Sequence, residues 1–223
     1  MDLEKARFNM IEQQVRPWEV LSPQVLELLA QVRREDFVPL AHRALAYADL
    51  EIPLGPKTGQ AMLAPKVQAR LLQDLALAPG SLVLEIGCGT GYMSALLAHL
   101  VGPTGRVIAL ELDPALADQA RQNLAHAGLD GQVQVRQADG SQGSPGDAPF
   151  DAIVLGGSVA EVPQALLAQL RVGGRLAAIV GQEPVMRATI ITRDGERSFS
   201  SQQPWDAQAP RLLGFAEPSS FHF

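Results

Sequence analysis

The residues best placed to do chemistry lie between Leu82 and Tyr92, where Leu-Val-Leu-Glu-Ile gives way to Gly-Cys-Gly-Thr-Gly-Tyr. An apolar run carrying a single carboxylate, Glu85, breaks into Gly87, Gly89 and Gly91, and a helical pattern begins at Met93. That order predicts a buried strand, a tight turn and a helix start. Glycines let a flat or extended ligand lie directly against the main chain. The first N–H groups of the new helix favour an anionic ligand group at the same place. The stretch therefore predicts a small-molecule site.

Spacing separates the ligand classes that use such a turn. A dinucleotide fingerprint starting at Gly87 needs its third glycine at position 92, which is Tyr92. The pattern Glu85-x-Gly87-x-Gly89-x-Gly91 instead resembles the first motif of S-adenosylmethionine (SAM) dependent methyltransferases. SAM has no pyrophosphate, so the helix N-terminus has one carboxylate to hold, while Glu85 can organise contacts to the ammonium. Glu111 closes the next apolar segment, 24 residues beyond Gly87, and a carboxylate there can accept from both hydroxyls of a ribose. Asp139-Gly140 follows the third segment, with Asp139 able to accept from an adenine amino group. Cys88, Tyr92 and Leu112 complete the expected cofactor-binding set. Gly156-Gly157, after Phe150–Leu155, would form the floor beneath the methyl group.

These residues need a frame, and the chain alternates strand and helix patterns from residue 80 onward. Strands are expected at 81–86, 106–111, 132–137, 150–156 and 174–180, with helices at 92–101, 114–127 and 163–170. Regular alternation predicts an α/β fold, a doubly wound and mostly parallel sheet that binds its ligand at the strand ends. Final strands are expected at 188–192 and 212–215, with 197–210 an exposed loop between them. Before the sheet, residues 2–15 read as a helix stopped by Pro17. Ser22-Pro23 opens a second helix that ends near 33–36, and Pro65 starts a third. This N-terminal helical addition includes residues 37–65, rich in breakers and poor in periodicity. Their length predicts a lid or substrate loop.

Composition narrows the classes. A chain of 223 residues, 47% hydrophobic, supports one substantial core, so a single domain is expected: 1–65 as helices and substrate loop, 66–182 as the cofactor-binding core, 183–223 as final strands and tail. The 24 acidic residues outnumber 18 basic ones, and no basic cluster offsets the net charge of −6, which argues against nucleic-acid or anionic-membrane surfaces. One cysteine excludes an internal disulfide and a cysteine-based metal cage, and the four histidines show no ligand spacing, so no metal is expected. No apolar run approaches a membrane span and the N-terminus lacks a signal-peptide core, so a cytoplasmic protein is expected, monomeric or homodimeric.

Beyond the glycine turn, Asp36-Phe37-Val38-Pro39, Tyr47-Ala48-Asp49, Pro53-Leu54-Gly55, Gly59-Gln60, Pro65, Asp139-Gly140, Pro149–Ile153, Val162–Leu166 and Gly173–Leu176 follow one another in the order of the protein-L-isoaspartate O-methyltransferase family, which the chain resembles over roughly residues 5–182. The run from 36 to 65 makes the resemblance specific. It implies a SAM-binding fold, S-adenosylhomocysteine as by-product, and methyl transfer to the free carboxylate of isoaspartate in a damaged protein or peptide. Three positions depart from the family pattern. Where the family reads Gly-Gln-Thr-x-Ser-x-Pro, this chain reads Gly59-Gln60-Ala61-Met62-Leu63-Ala64-Pro65, so Leu63 stands at the family's active-site serine or threonine. Ser144 stands at a usual tryptophan, and Gly214–Glu217 replaces a Phe-Val-Pro ending.

An ionised carboxylate needs no general base to become a nucleophile, so the absence of an obvious catalytic His, Lys or Asp agrees with methylation of an acid. No catalytic residue is therefore assigned. Thr58, Gln60 and Ser158 are the polar groups expected to orient a substrate, alongside Leu63, Gly156 and Gly157. Two alternatives share the fold: methylation of another acceptor, such as a small molecule against a more apolar Leu63 wall, and cofactor binding without catalysis.

Overall fold

The computed structural model describes residues 2–56 and 59–217. At its centre is a seven-stranded sheet ordered β5-β4-β3-β6-β7-β8-β9. Five strands run parallel: β3 (Leu82–Ile86), β4 (Arg106–Glu111), β5 (Val133–Gln137), β6 (Phe150–Val159) and β7 (Leu170–Gln182). The hairpin strands β8 (Val185–Arg193) and β9 (Phe199–Asp206) then add antiparallel. Strand order reverses at β3, between β4 and β6, and the glycine turn leaves the sheet from that strand. This is where an open α/β sheet leaves a crevice.

The parallel strands form because both their faces are covered. Val83, Leu84, Val107, Ala109, Ile153 and Val154 are all buried, split between two apolar layers on either side of the sheet. Helices α4 (Tyr92–Val101) and α5 (Pro114–His126) connect the first strands. Asp113 caps α5 by accepting from the N–H groups of Ala115 and Leu116. The expected helix at 163–170 shrinks to α6, Gln164–Leu167, because Leu170 already pairs with Phe150 in the sheet.

The N-terminal addition packs on the larger layer. Helix α1 spans Leu3–Met10 and passes into a wider π-turn over Ile11–Val15, so the expected 2–15 helix is interrupted. Helix α2 (Pro23–Gln31) is capped by Ser22, with Val25, Leu26, Leu28 and Leu29 buried, and α3 (Pro65–Leu75) follows. The segment between them is more ordered than its breakers suggest. It holds short 3-10 turns and a two-residue hairpin, β1 (Ile52–Pro53) against β2 (Ala61–Met62). Trp18 meets Trp205 of β9 edge-on at 6.0 Å, with Lys66 over the first ring and Arg70 over the second.

The end of the chain departs from expectation twice. Residues 199–206 form a strand rather than an exposed loop, because the hairpin satisfies their backbone and Trp205 buries its ring while donating to Asp74 at 2.8 Å. Leu212–Phe215 does not join the sheet as a strand. Only Arg211 bridges to Ser158, and the apolar residues beyond it lie across the strand ends.

Candidate active site

Two compartments flank the glycine turn and share Leu54, Ala61, Gly87, Gly89 and Gly156. The outer one is a cleft of about 190 Å³. Its polar edge is Glu111, whose two carboxylate oxygens accept from the N–H of Gly89 at 2.8 Å and of Asp113 at 3.0 Å. Burial raises the Glu111 pKa, and these backbone donors oppose the rise. A carboxylate has about four acceptor sites, so acceptor capacity remains for a hydroxyl donor. Leu112, Pro114, Leu116, Ala138 and Phe215 give the cleft apolar walls fit for a flat ring. Gln60 reaches across from the loop, its side-chain amide donating to Asp113 Oδ2 at 3.1 Å.

The inner compartment holds about 20 Å³, the space of about one water or one ammonium group. Glu85 is 1% exposed there and accepts from the Ser94 hydroxyl through Oε2, while Oε1 finds no partner among the described residues. Desolvation pushes its pKa up to about 8, against the Ser94 hydrogen bond and with a smaller push from Glu111. The Thr90 hydroxyl, also buried and lining the chamber, has no described partner either. Unpaired buried acceptors are costly, so these two oxygens mark a place that suits a small cation.

Close backbone approach explains the glycines. A Cβ on Gly156 would meet the Gly87 carbonyl oxygen at 2.1 Å, and one on Gly89, at φ +55°, would meet Leu54 Cδ1 at 2.6 Å. The turn is thus pressed between β6 and the loop.

The sequence-predicted residues divide as follows. Gly87, Gly89, Glu111, Leu112, Gly140, Gly156, Gly157 and Gln60 line the cleft; Leu63, Glu85, Cys88 and Tyr92 line the chamber. Burial lifts the Cys88 thiol well above its ordinary pKa, which leaves it unreactive. Gly91 begins α4 facing Leu124 and Ala120 of α5, a packing position. Asp139 is exposed and caps a short 3-10 turn by accepting from Ser141 N–H at 2.9 Å, outside the cleft wall formed by its neighbours Ala138 and Gly140. Ser158 is turned away from the cleft. Its hydroxyl donates to the Ala209 carbonyl at 2.8 Å and its N–H to Pro210, so it secures the tail. Thr58 lies outside the described residues. Sequence reasoning missed Thr90, Ser94 and Gln68, ordinary polar residues inside helical or turn patterns. It also missed Arg34, hidden in a charged run.

A switch-point cleft with a ribose-ready carboxylate, an apolar ring slot and a cation-sized acidic chamber defines a SAM-dependent methyltransferase. The comparisons narrow this further. Residues 5–207 match the family Protein-L-isoaspartate(D-aspartate) O-methyltransferase (PCMT), and the chain belongs to that family. It is 45% identical over 193 residues to the protein-L-isoaspartate O-methyltransferase of Aeropyrum pernix, covering 86% of this chain and 74% of that one. Identity to protein-L-isoaspartate O-methyltransferase 1 of Rhodopseudomonas palustris is 41% over 209 residues, covering 93% and 83%. Among solved structures, a protein-L-isoaspartate O-methyltransferase shares the fold at TM-score 0.79 and 24% identity, covering 95% of this chain and 66% of that one. A Plasmodium falciparum structure described as the same kind of enzyme, in complex with S-adenosyl-L-homocysteine, aligns at TM-score 0.76 and 19% identity, covering 95% and 99%.

Proposed function

We propose that this chain, as one domain in the cytoplasm, transfers the methyl group of SAM to the free carboxylate of isoaspartyl residues in proteins and peptides. The observation that carries the reading is the pairing of a ribose-sized cleft with a one-ammonium chamber on either side of one glycine turn. In this reading the nucleoside lies against Glu111 and Leu112, and the ammonium enters between Glu85 and Thr90. When bound, SAM supplies a sulfonium-activated methyl group.

The chain's own residues bind, orient and exclude water. Glu85 carries its proton at neutral pH, its pKa having been raised to about 8, and gives that proton up when a cation is brought to Oε1. Leu63, Met62 and Leu54 form an apolar lip between loop and glycine turn. A carboxylate brought against that lip loses hydration and becomes a stronger nucleophile. Gln60, tethered to Asp113, holds the loop over the cleft. With Leu63 in place of a hydroxyl, one hydrogen bond to the acceptor is absent, worth about 1.5–3 kcal/mol.

The test incubates the purified chain with methyl-labelled SAM and an isoaspartyl peptide. Base-labile methanol release is expected, and silence at millimolar peptide with intact cofactor binding would reject the reading.

A further inference from the structure

Arg34 is fully buried, with 0% exposure, and no carboxylate contacts it among the described residues. Burial lowers its pKa to about 10, so it stays charged at neutral pH. A buried cation without an ion-pair partner is expensive, and an apolar side chain would pack such a position at lower cost. What the guanidinium touches suggests why it is there. It donates to the Leu63 carbonyl oxygen at 2.8 Å and to Gln68 Oε1, and its carbon lies 5.0 Å from the centre of the Tyr92 ring. Those three partners come from the loop that ends at the chamber, from α3, and from the first turn after the glycines, and all three residues line the chamber. Arg34 has its hidden face on the wall whose open face meets the ligands.

We propose that Arg34 is a positioning residue for methyl transfer. By holding the Leu63 carbonyl and the Gln68 amide against the Tyr92 ring, it fixes the 61–64 segment relative to the glycine turn. It thereby sets the approach of the acceptor carboxylate to the methyl group. It touches neither reactant. Position 63 offers no hydroxyl, so acceptor alignment depends on where the backbone is held. Misplacement of about 1 Å costs on the order of 100-fold in rate. This inference rests on the function proposed above.

The experiment uses the full chain in three variants, Arg34→Lys, Arg34→Met and Gln68→Leu, the last keeping the arginine and its contacts with Leu63 and Tyr92. Three quantities are measured: kcat per cofactor site titrated with S-adenosylhomocysteine, affinity for that ligand, and amide hydrogen exchange over residues 61–68. The expected result is a kcat loss of about 100-fold in Arg34→Met and about tenfold in the other two. Exchange should be faster at 61–64 in all three, and by-product affinity within threefold of the parent in the two Arg34 variants. Unchanged kcat per titrated site, or affinity falling in step with kcat, would overturn the positioning role. If the parent chain itself forms no methyl ester, the proposed substrate fails. The exchange measurement still decides whether Arg34 holds the segment, with unchanged exchange counting against it.

Discussion

The two compartments on either side of the glycine turn are built on opposite terms. In the outer cleft the acidic group is already paired, since Glu111 accepts from two backbone N–H groups, and most of the remaining surface is apolar, with Gln60 and Asp113 paired to each other at its edge. In the inner chamber Glu85 Oε1 and the Thr90 hydroxyl are shut away from solvent without described partners. The cleft is preorganised and loses little when empty. The chamber carries an unpaid desolvation cost that a bound cation relieves, so binding free energy should be concentrated there and should depend on pH.

Several substitutions break or sharpen this contrast. The largest effect is expected from Gly156→Ala, which touches both compartments at once. A Cβ 2.1 Å from the Gly87 carbonyl must displace backbone, and overpacking of this kind costs about 1–3 kcal/mol in stability. Calorimetry should find S-adenosylhomocysteine binding reduced more than 100-fold, or on the order of 3 kcal/mol, and the melting temperature lowered. Glu111→Ala should come next. Removing hydrogen bonds to a charged acceptor costs about 1.5–3 kcal/mol, roughly 10- to 100-fold in affinity, with little change in the pH profile.

Glu85→Gln isolates the chamber. In the parent, affinity for a ligand bearing an ammonium should fall as pH drops through about 8, because the proton on Glu85 must leave first. Binding near pH 7 should release a proton, visible as a buffer-dependent heat, and the variant should lose both signatures. The stability linkage has the matching sign. Glu85 binds its proton more tightly folded than unfolded, so its contribution is greatest below the unfolded pKa and falls as pH rises toward about 8. The variant's advantage in melting temperature should therefore grow from pH 5 to pH 8. A proton count of zero at pH 7 would remove the distinction between the compartments.

Leu63→Thr restores a hydroxyl at the lip and should raise kcat/KM for an isoaspartyl peptide by about tenfold, one hydrogen bond's worth. The smallest change is expected from Asp139→Asn. Its carboxylate is exposed and caps a local turn, so cofactor affinity should shift less than threefold in the same titration.

Most of the cleft was legible in sequence because its parts sit at fixed points of a repeating pattern. Apolar runs predicted β3, β4 and β6, and the carboxylates and glycines follow from where those runs stop. The chamber was half legible. Glu85 announced itself as a lone acid in an apolar strand, but Thr90 and Ser94 look like any small polar residues after a turn. Arg34 could be found only from tertiary structure, because Arg33-Arg34-Glu35-Asp36 reads as a solvated charge run, while the fold turns Arg34 and Glu35 inward. The last strand was missed for a different reason. Phe199–Asp206 is almost wholly exposed, so it lacks apolar alternation and is held by hairpin pairing and one buried indole. The apolar Leu212 and Phe215 suggested a strand, yet their side chains serve the cleft rather than the sheet.

The edge-on stack of Trp18 on Trp205 carries one more consequence. These are the only two indoles in the chain, and each is contributed by a segment outside the cofactor-binding core. Intrinsic emission from this protein is thus a selective optical gauge of whether its opening and closing segments remain fastened together across α3. It can be read without any label and away from the ligand compartments.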